Sequence, residues 1–278
     1  MLTETTIAGI RARLRDSGSG TRVALVPTMG ALHEGHLTLV DIAAKLADVV
    51  VVSIFVNPLQ FGPTEDFARY PRTFESDAAK LSEHGTTILF APTAEEMFHA
   101  GSPTTVSPPE FATEFEGAIR PGHFAGVLTV VAKLFNIVQP NIAVFGRKDL
   151  QQLSMIRAMV RDLDFPIEVH AGETVRESDG LALSSRNRYL DEQSRRRAVR
   201  LRVALVAAKA EFESGVTDSV RVEDAGRAVL EKDGALSIDY FAVVNALDFS
   251  TPPVATTGDS IVAAVRIAGT RLLDNIQL

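Results

Sequence analysis

The sequence predicts an α/β protein: a Rossmann-like, doubly wound parallel sheet followed by a second, smaller α+β domain. Three observations lead there. Short apolar runs alternate with helical patterns as far as His170, the mark of βαβ units joined by right-handed crossovers. The run Asp48–Val56 is β-branched almost throughout, as a parallel strand covered on both faces requires. Beyond Val175 the order changes to helices followed by strands, which fits a small α+β unit.

The elements follow in order. Residues 22–26 read as the first strand. A helix over residues 35–47 sets Leu37, Val40 and Ala44 on one stripe. Residues 48–56 form the second strand, and residues 75–84 a helix that Gly85 stops from the C′ position. Residues 86–90 give the next strand. The segment 91–122 carries five prolines and is expected to be loop-rich. Residues 127–138 are apolar nearly all round, so that helix should be buried. A strand over 142–145 leads into a helical stripe of Leu150, Leu153, Ile156, Val160 and Leu163, and residues 167–170 close the series. The chain turns polar near Val175, which divides it into domains 1–174 and 175–278. In the second, residues 191–214 read as one long Arg-rich helix and 219–232 as another. The alternation over 237–245 puts Ile238, Tyr240, Ala242 and Val244 on one face of a strand, and residues 260–267 add a further strand.

Composition narrows the function. The 278 residues suffice for two cores without staples. Lys and Arg number 28 against 35 Asp and Glu, a net charge of −7, which argues against a broad basic face for nucleic acid. Cysteine is absent, which excludes disulfides, thiolate catalysis and Cys-ligated metals. The longest apolar run, Val49–Val56, falls far short of the ~18 residues a membrane span needs. The first twenty residues are charged, with no apolar signal core. The expectation is a cytoplasmic protein with neither nucleic acid nor membrane as partner.

Five segments carry chemistry. The first, Pro27–His36, leaves a strand and opens a helix, where amides and the helix dipole favour anions. Its His33 and His36 lie three apart on one helical side, able to donate to phosphate oxygens or, one of them, to ligate a metal. Zinc is disfavoured, because no third ligand follows at a usual spacing. Gly30 and Gly35 allow close approach of a ligand. The second, Asn57–Gly62, offers Gln60 as donor and acceptor for a small polar substrate. The third is Arg120–Phe124, whose Arg120 and His123 suit a carboxylate or phosphate. The fourth, Phe145–Gln152, holds Lys148 as a point charge, Asp149 as a helix cap or ribose ligand, and Gln152 in the first turn. The fifth, Ser184–Arg188, combines hydroxyls with a guanidinium, as either a polyphosphate clamp or a helix cap. No Walker A loop and no G-x-G-x-x-G run is present. Read unaided, the chain binds a nucleoside triphosphate and a small polar co-substrate. A nucleotidyltransferase and a non-catalytic nucleotide-binding module stay open at this point.

With those residues in view, the chain resembles the pantothenate synthetase (pantoate–β-alanine ligase) family of the cytidylyltransferase-like superfamily. The likeness is densest at residues 27–36, 52–62, 120–152 and 176–190. It implies an AMP-forming acid–amino-acid ligase that activates pantoate with ATP as pantoyl adenylate and then transfers the acyl group to β-alanine. By resemblance, His33, His36 and Lys148 are the catalytic residues at the phosphates, and Ser184, Ser185 and Arg186 complete their clamp. Met29, Gly146, Asp149 and Val175 match positions that contact the ribose or adenine, and Gln60 and Gln152 match the pair that holds pantoate. Asp77 matches acidic positions near Mg²⁺. The resemblance also implies a homodimer. Arg147 departs from the family's usual Glu or Gln and is expected to point to solvent.

Overall fold

The β-branched runs become strands because their side chains pack well on a pleated surface covered from both sides. The computed structural model describes residues 1–63, 65–99 and 104–278. These divide into one unit of Met1–Gly146 with Met155–Gly172, and another of Arg147–Ser154 with Glu173–Leu278.

In the first unit the order is β1 (Leu2–Glu4), α1 (Ile7–Asp16), β2 (Val23–Thr28), α2 (Glu34–Leu46), β3 (Val49–Ile54), α3 (Phe74–Glu83), β4 (Ile88–Phe90), α4 (Ala94–Met97), α5 (Glu116–Ile119), α6 (His123–Val138), β5 (Ile142–Gly146) and β6 (Glu168–Gly172); before β6 comes α7 (Leu150–Asp162), which belongs to this unit from Met155 onward. The sheet runs β1-β4-β3-β2-β5-β6, and every pair in it is parallel. The chain builds outward from β2 through β3 to β4, then returns to lay β5 on the other side of β2. The carboxyl ends of β2 and β5 therefore flank the topological switch point, where open α/β sheets bind ligands. Ala24, Val26, Val50, Val52, Leu89, Ile142 and Val144 form one core with Leu37, Val40 and Ala43 of α2. α6 is buried along nearly its whole length, as its uniform apolarity demands.

β1 and α1 are additions to the expected order. β1 is an edge strand that pairs Leu2 with Ile88, and Thr6 caps α1 by accepting from the Gly9 amide. The proline-bearing segment after β4 contains α4, α5 and a 3-10 turn at Glu110–Thr113. Its residues 100–103 lie outside the described residues.

The second unit contains α8 (Glu192–Ala198), α9 (Arg200–Glu213), α10 (Ser219–Glu231), β7 (Ser237–Val244), β8 (Ser260–Ile267) and β9 (Thr270–Gln277), the strands forming an antiparallel sheet. The two compact units part between Gly172 and Glu173, where the sequence reading puts a division near Val175, and Arg147–Ser154 groups with the second unit. Asn275 Nδ2 donates to the Arg147 and Lys148 carbonyls, and Ser154 Oγ donates to the Ala246 carbonyl, which explains that grouping. The single helix expected over 191–214 is two, α8 and α9. The joint, Val199, keeps helical torsions (φ −59°, ψ −24°), so the apolar stripe continues across it and periodicity does not reveal it. The expected face of β7 is also corrected. A register shift between Ile238 and Tyr240 inserts Asp239 as an extra residue. Ile238 then packs on the same core as Phe241 and Val243, while Tyr240, Ala242 and Val244 point away from it.

Candidate active site

The chain leaving β2 turns at Gly30 (φ +82°) and Ala31 (φ +53°) before α2 begins. Ala31 is strained there, because a Cβ disfavours the left-handed region. The strain persists because α3 holds the turn. Asp77, 1% exposed, accepts the Ala31 amide on Oδ2 at 2.8 Å and the Leu32 amide on Oδ1 at 2.9 Å. Thr73 donates its hydroxyl to Oδ2 at 3.0 Å, and Lys80 donates to the Leu32 carbonyl at 2.7 Å. Thr28 Oγ1 accepts the Gly30 amide and donates to the Ser53 carbonyl, stitching the turn to β3.

His33 is the extended N-cap of α2, and its carbonyl accepts the His36 and Leu37 amides. The two imidazoles lie with centroids 4.1 Å apart. His36 Nδ1 accepts the His33 amide at 3.4 Å, which puts the neutral ring's proton on Nε2. Gly35 has a more local reason than approach by a ligand: a Cβ there would lie 3.0 Å from His33 Nδ1 and Cε1. A methyl there would press on that ring and shift it.

The strand next to β2 ends in a 3-10 turn, Pro58–Gln60. Buried Asn57 donates to Gln60 Oε1 at 3.0 Å and to the Gly126 carbonyl at 3.1 Å, and accepts the Leu59 amide. With Oε1 engaged, Gln60 extends its Nε2 donor, which lies 3.1 Å from Met29 Sδ. Gly126 of α6 meets this turn directly, since a Cβ there would collide with the Leu59 carbonyl. Arg120 and His123 belong to the same turn. Arg120 makes two hydrogen bonds of 2.7 Å to Glu65, and donates to the Gln60 carbonyl at 3.2 Å and to His123 Nε2 at 3.0 Å. His123 Nδ1 lies 2.8 Å from the Gln60 carbonyl. Burial and the neighbouring Arg120 charge push His123 down to about 4, so the ring is neutral. Burial pushes the Glu65 carboxyl up, but its bonds to Arg120 prevail and hold it below the ordinary range.

In the second unit, Lys148 follows Arg147 in the turn before α7, pinned by Asn275. Asp149 gives its carbonyl to the Leu153 amide at the start of α7, and Gln152 lies in the first turn. Arg147 does not simply face solvent: it pairs with Glu173 at 3.0 Å and bonds to Gln277 at 2.9 Å. Val175 opens a tight excursion that returns when Leu183 donates to its carbonyl. Arg176 anchors it through two bonds to buried Asp274, of 2.6 and 2.9 Å. Arg195 bonds to Glu177 and Asp179. Ser184 Oγ caps the 3-10 turn Ser185–Tyr189 by accepting the Arg186 amide.

The structure thus groups Met29, His33, His36, Gln60 and Asp77 in the first unit, with Gly146 ending the strand beside β2. It groups Lys148, Asp149, Gln152, Val175, Ser184, Ser185 and Arg186 in the second. Asp77, which the resemblance places near Mg²⁺, accepts the Ala31 amide and the Thr73 hydroxyl on Oδ2 and the Leu32 amide on Oδ1. Among the described residues no group of three His, Asp or Glu is arranged to hold a metal. Sequence reasoning missed Lys80, Asn57, Glu65 and Asn275. Asn57 sits inside a flagged segment, and the others act on partners 48 or more residues away.

Comparison with known proteins follows the same lines. The family model described as pantoate-beta-alanine ligase matches residues 3–277. A pantothenate synthetase from Acidothermus cellulolyticus is 51% identical over 92% of this chain and 85% of its own length. The crystal structure of pantothenate synthetase from Thermus thermophilus aligns with a TM-score of 0.95 at 46% identity, covering 100% of this chain and 99% of that one. A pantoate-beta-alanine ligase from Francisella tularensis, solved in complex with beta-gamma ATP and beta-alanine, aligns at 30% identity and TM-score 0.80, covering 100% and 97%.

Proposed function

Since this chain belongs to the pantoate–β-alanine ligase family, we propose that it makes pantothenate through a pantoyl adenylate. In the first step a pantoate carboxylate oxygen attacks the α-phosphorus of ATP, the bond to the β-phosphate oxygen breaks, and pyrophosphate leaves. In the second the β-alanine amine attacks the acyl carbon, the acyl–phosphate bond breaks, AMP leaves and the amine sheds a proton.

The observation that carries this reading is the braced pair His33–His36 beside the switch point, at the amino end of α2. Charge transfer to a leaving pyrophosphate needs positioned donors more than covalent help. The proton on His36 Nε2, His33 beside it and the first-turn amides of α2 meet that need. The reading gives Lys148, Ser184, Ser185 and Arg186 to the phosphates, and Met29, Gly146, Asp149 and Val175 to the nucleoside. It gives Gln60 and Gln152 to pantoate. Gln60's Nε2 suits the acid's oxygens, because Asn57 already engages Oε1. Mg²⁺ belongs to the same reading as a cation that would neutralise the triphosphate with few protein ligands, and no step is assigned to it. A homodimer in the cytoplasm belongs to the same proposal. No described helix is long and apolar enough to cross a membrane.

The test is isotope exchange. Pantoate alone should support pyrophosphate–ATP exchange, and AMP should accumulate only when β-alanine is added. Formation of ADP, or exchange that needs β-alanine, would contradict the adenylate.

A further inference from the structure

Arg120 and His123 flank the Gln60 turn without any part in the chemistry above. Both point at one atom, the Gln60 carbonyl oxygen, at 3.2 and 2.8 Å. Arg120 also donates to His123 Nε2, which leaves Nδ1 as the protonated nitrogen and makes it the donor to Gln60. Glu65 closes the arrangement by taking two of the Arg120 donors. The result is a chain of four groups, Glu65–Arg120–His123–Gln60, joined donor to acceptor. Its last link fixes the main chain of Gln60, while Asn57 fixes the side-chain amide.

We propose that Glu65, Arg120 and His123 form a positioning clamp that sets the Gln60 amide for the acid substrate. This rests on the reading that Gln60 binds pantoate, and it adds three residues that touch no substrate. Two features support it. Bidentate Arg–carboxylate pairing is directional, so Glu65 sets the plane of the guanidinium and hence the direction of its remaining donors. The turn also has little slack, because Gly126 meets its backbone on one side with no room for a Cβ. A displacement of the carbonyl is therefore passed to the side chain rather than absorbed.

The experiment measures KM for pantoate and for ATP in the exchange reaction for His123→Phe, His123→Asn, Glu65→Gln and Gln60→Ala, with urea unfolding of each. Asn can present an amide donor near the place of Nδ1, whereas Phe cannot. His123→Phe should raise the pantoate KM on the order of 10-fold with the ATP KM within about 2-fold, since a misplaced binding group costs such factors. His123→Asn should restore most of that loss. Glu65→Gln, which loses the charge and one of the two oxygens that accept from Arg120, should raise the pantoate KM roughly 3-fold by the same argument. An unchanged pantoate KM in His123→Phe and Glu65→Gln overturns the clamp. So does a parallel rise in both KM values, or failure of Asn to rescue. Should His123→Phe not fold, Glu65→Gln decides. Gln60→Ala separates the two levels: if it too leaves the pantoate KM unchanged, the reading of Gln60 fails; if it alone raises it, only the clamp fails.

Discussion

The Thr28–His36 turn and the Val175–Arg188 segment are both irregular chain, yet they are held by different bonds. The first hangs on Asp77, 1% exposed, whose oxygens accept two backbone amides, and on Lys80 and Thr28. The second hangs largely on Arg195, 22% exposed, paired with Glu177 and Asp179 at 35% and 42%. Its interior anchors are the Arg176–Asp274 pair at its base and Leu181, which packs into the core of the second unit. Buried charge-assisted bonds to amides contribute about 1.5–3 kcal/mol each, whereas exposed ion pairs contribute about 0–1 and weaken with salt. The imidazoles are therefore set before any ligand arrives. The Arg195 pairs to Glu177 and Asp179 are bonds that water, salt or a polyanion can replace.

Asp77→Ala should break this comparison most severely. It leaves two buried amides without acceptors and Ala31 without support, a loss of about 2–5 kcal/mol in urea unfolding. Exchange activity should fall on the order of 10²-fold as the turn shifts. A stability change near that of Arg195→Ala would erase the distinction between the regions.

Acid should also act on the first unit. His123 stands at about 4 in the fold against 6.5 for a free imidazole side chain. Between those values the unfolded chain binds a proton that the folded chain refuses, so stability falls as pH drops from about 6.5 to about 4 and is flat above. The groups around the ring act both ways: burial and Arg120 lower its pKa, while the Gln60 carbonyl, Glu65 and Glu116 raise it. The loss from the ring is roughly 3 kcal/mol at 1.36 kcal/mol per unit. Urea midpoints across that range should show it, and His123→Asn should flatten the slope.

Gly35→Ala sharpens the comparison by separating activity from stability. The added methyl displaces the His33 ring, so exchange should fall roughly 10-fold. The urea midpoint should hold, because alanine is favoured by about 1 kcal/mol in a helix. The smallest effect belongs to Arg195→Ala, below about 1 kcal/mol and smaller still in high salt.

The alternating pattern revealed the parallel sheet and every strand of the first unit except β1, whose three residues are too few for periodicity. Asp239 hid the true face of β7, because a one-residue bulge reverses alternation without changing composition. The site was legible where its residues cluster in sequence, as at Pro27–His36. It was not legible where a bond spans the fold. Asp77 stood out only through the family resemblance, and the amides it serves lie 45 and 46 residues away. Lys80 and Asn275 carry no local signal at all, being defined only by the carbonyls they reach.

In the proposed reaction, adenylate formation depends on charge stabilisation at the paired imidazoles. Rapid-mixing measurement of single-turnover adenylate formation in His36→Ala, with saturating ATP and pantoate, tests it most directly. The rate should fall on the order of 10²–10³ while unfolding stays within about 1 kcal/mol of the parent. A rate equal to the parent's would place the developing phosphate charge elsewhere and contradict the account.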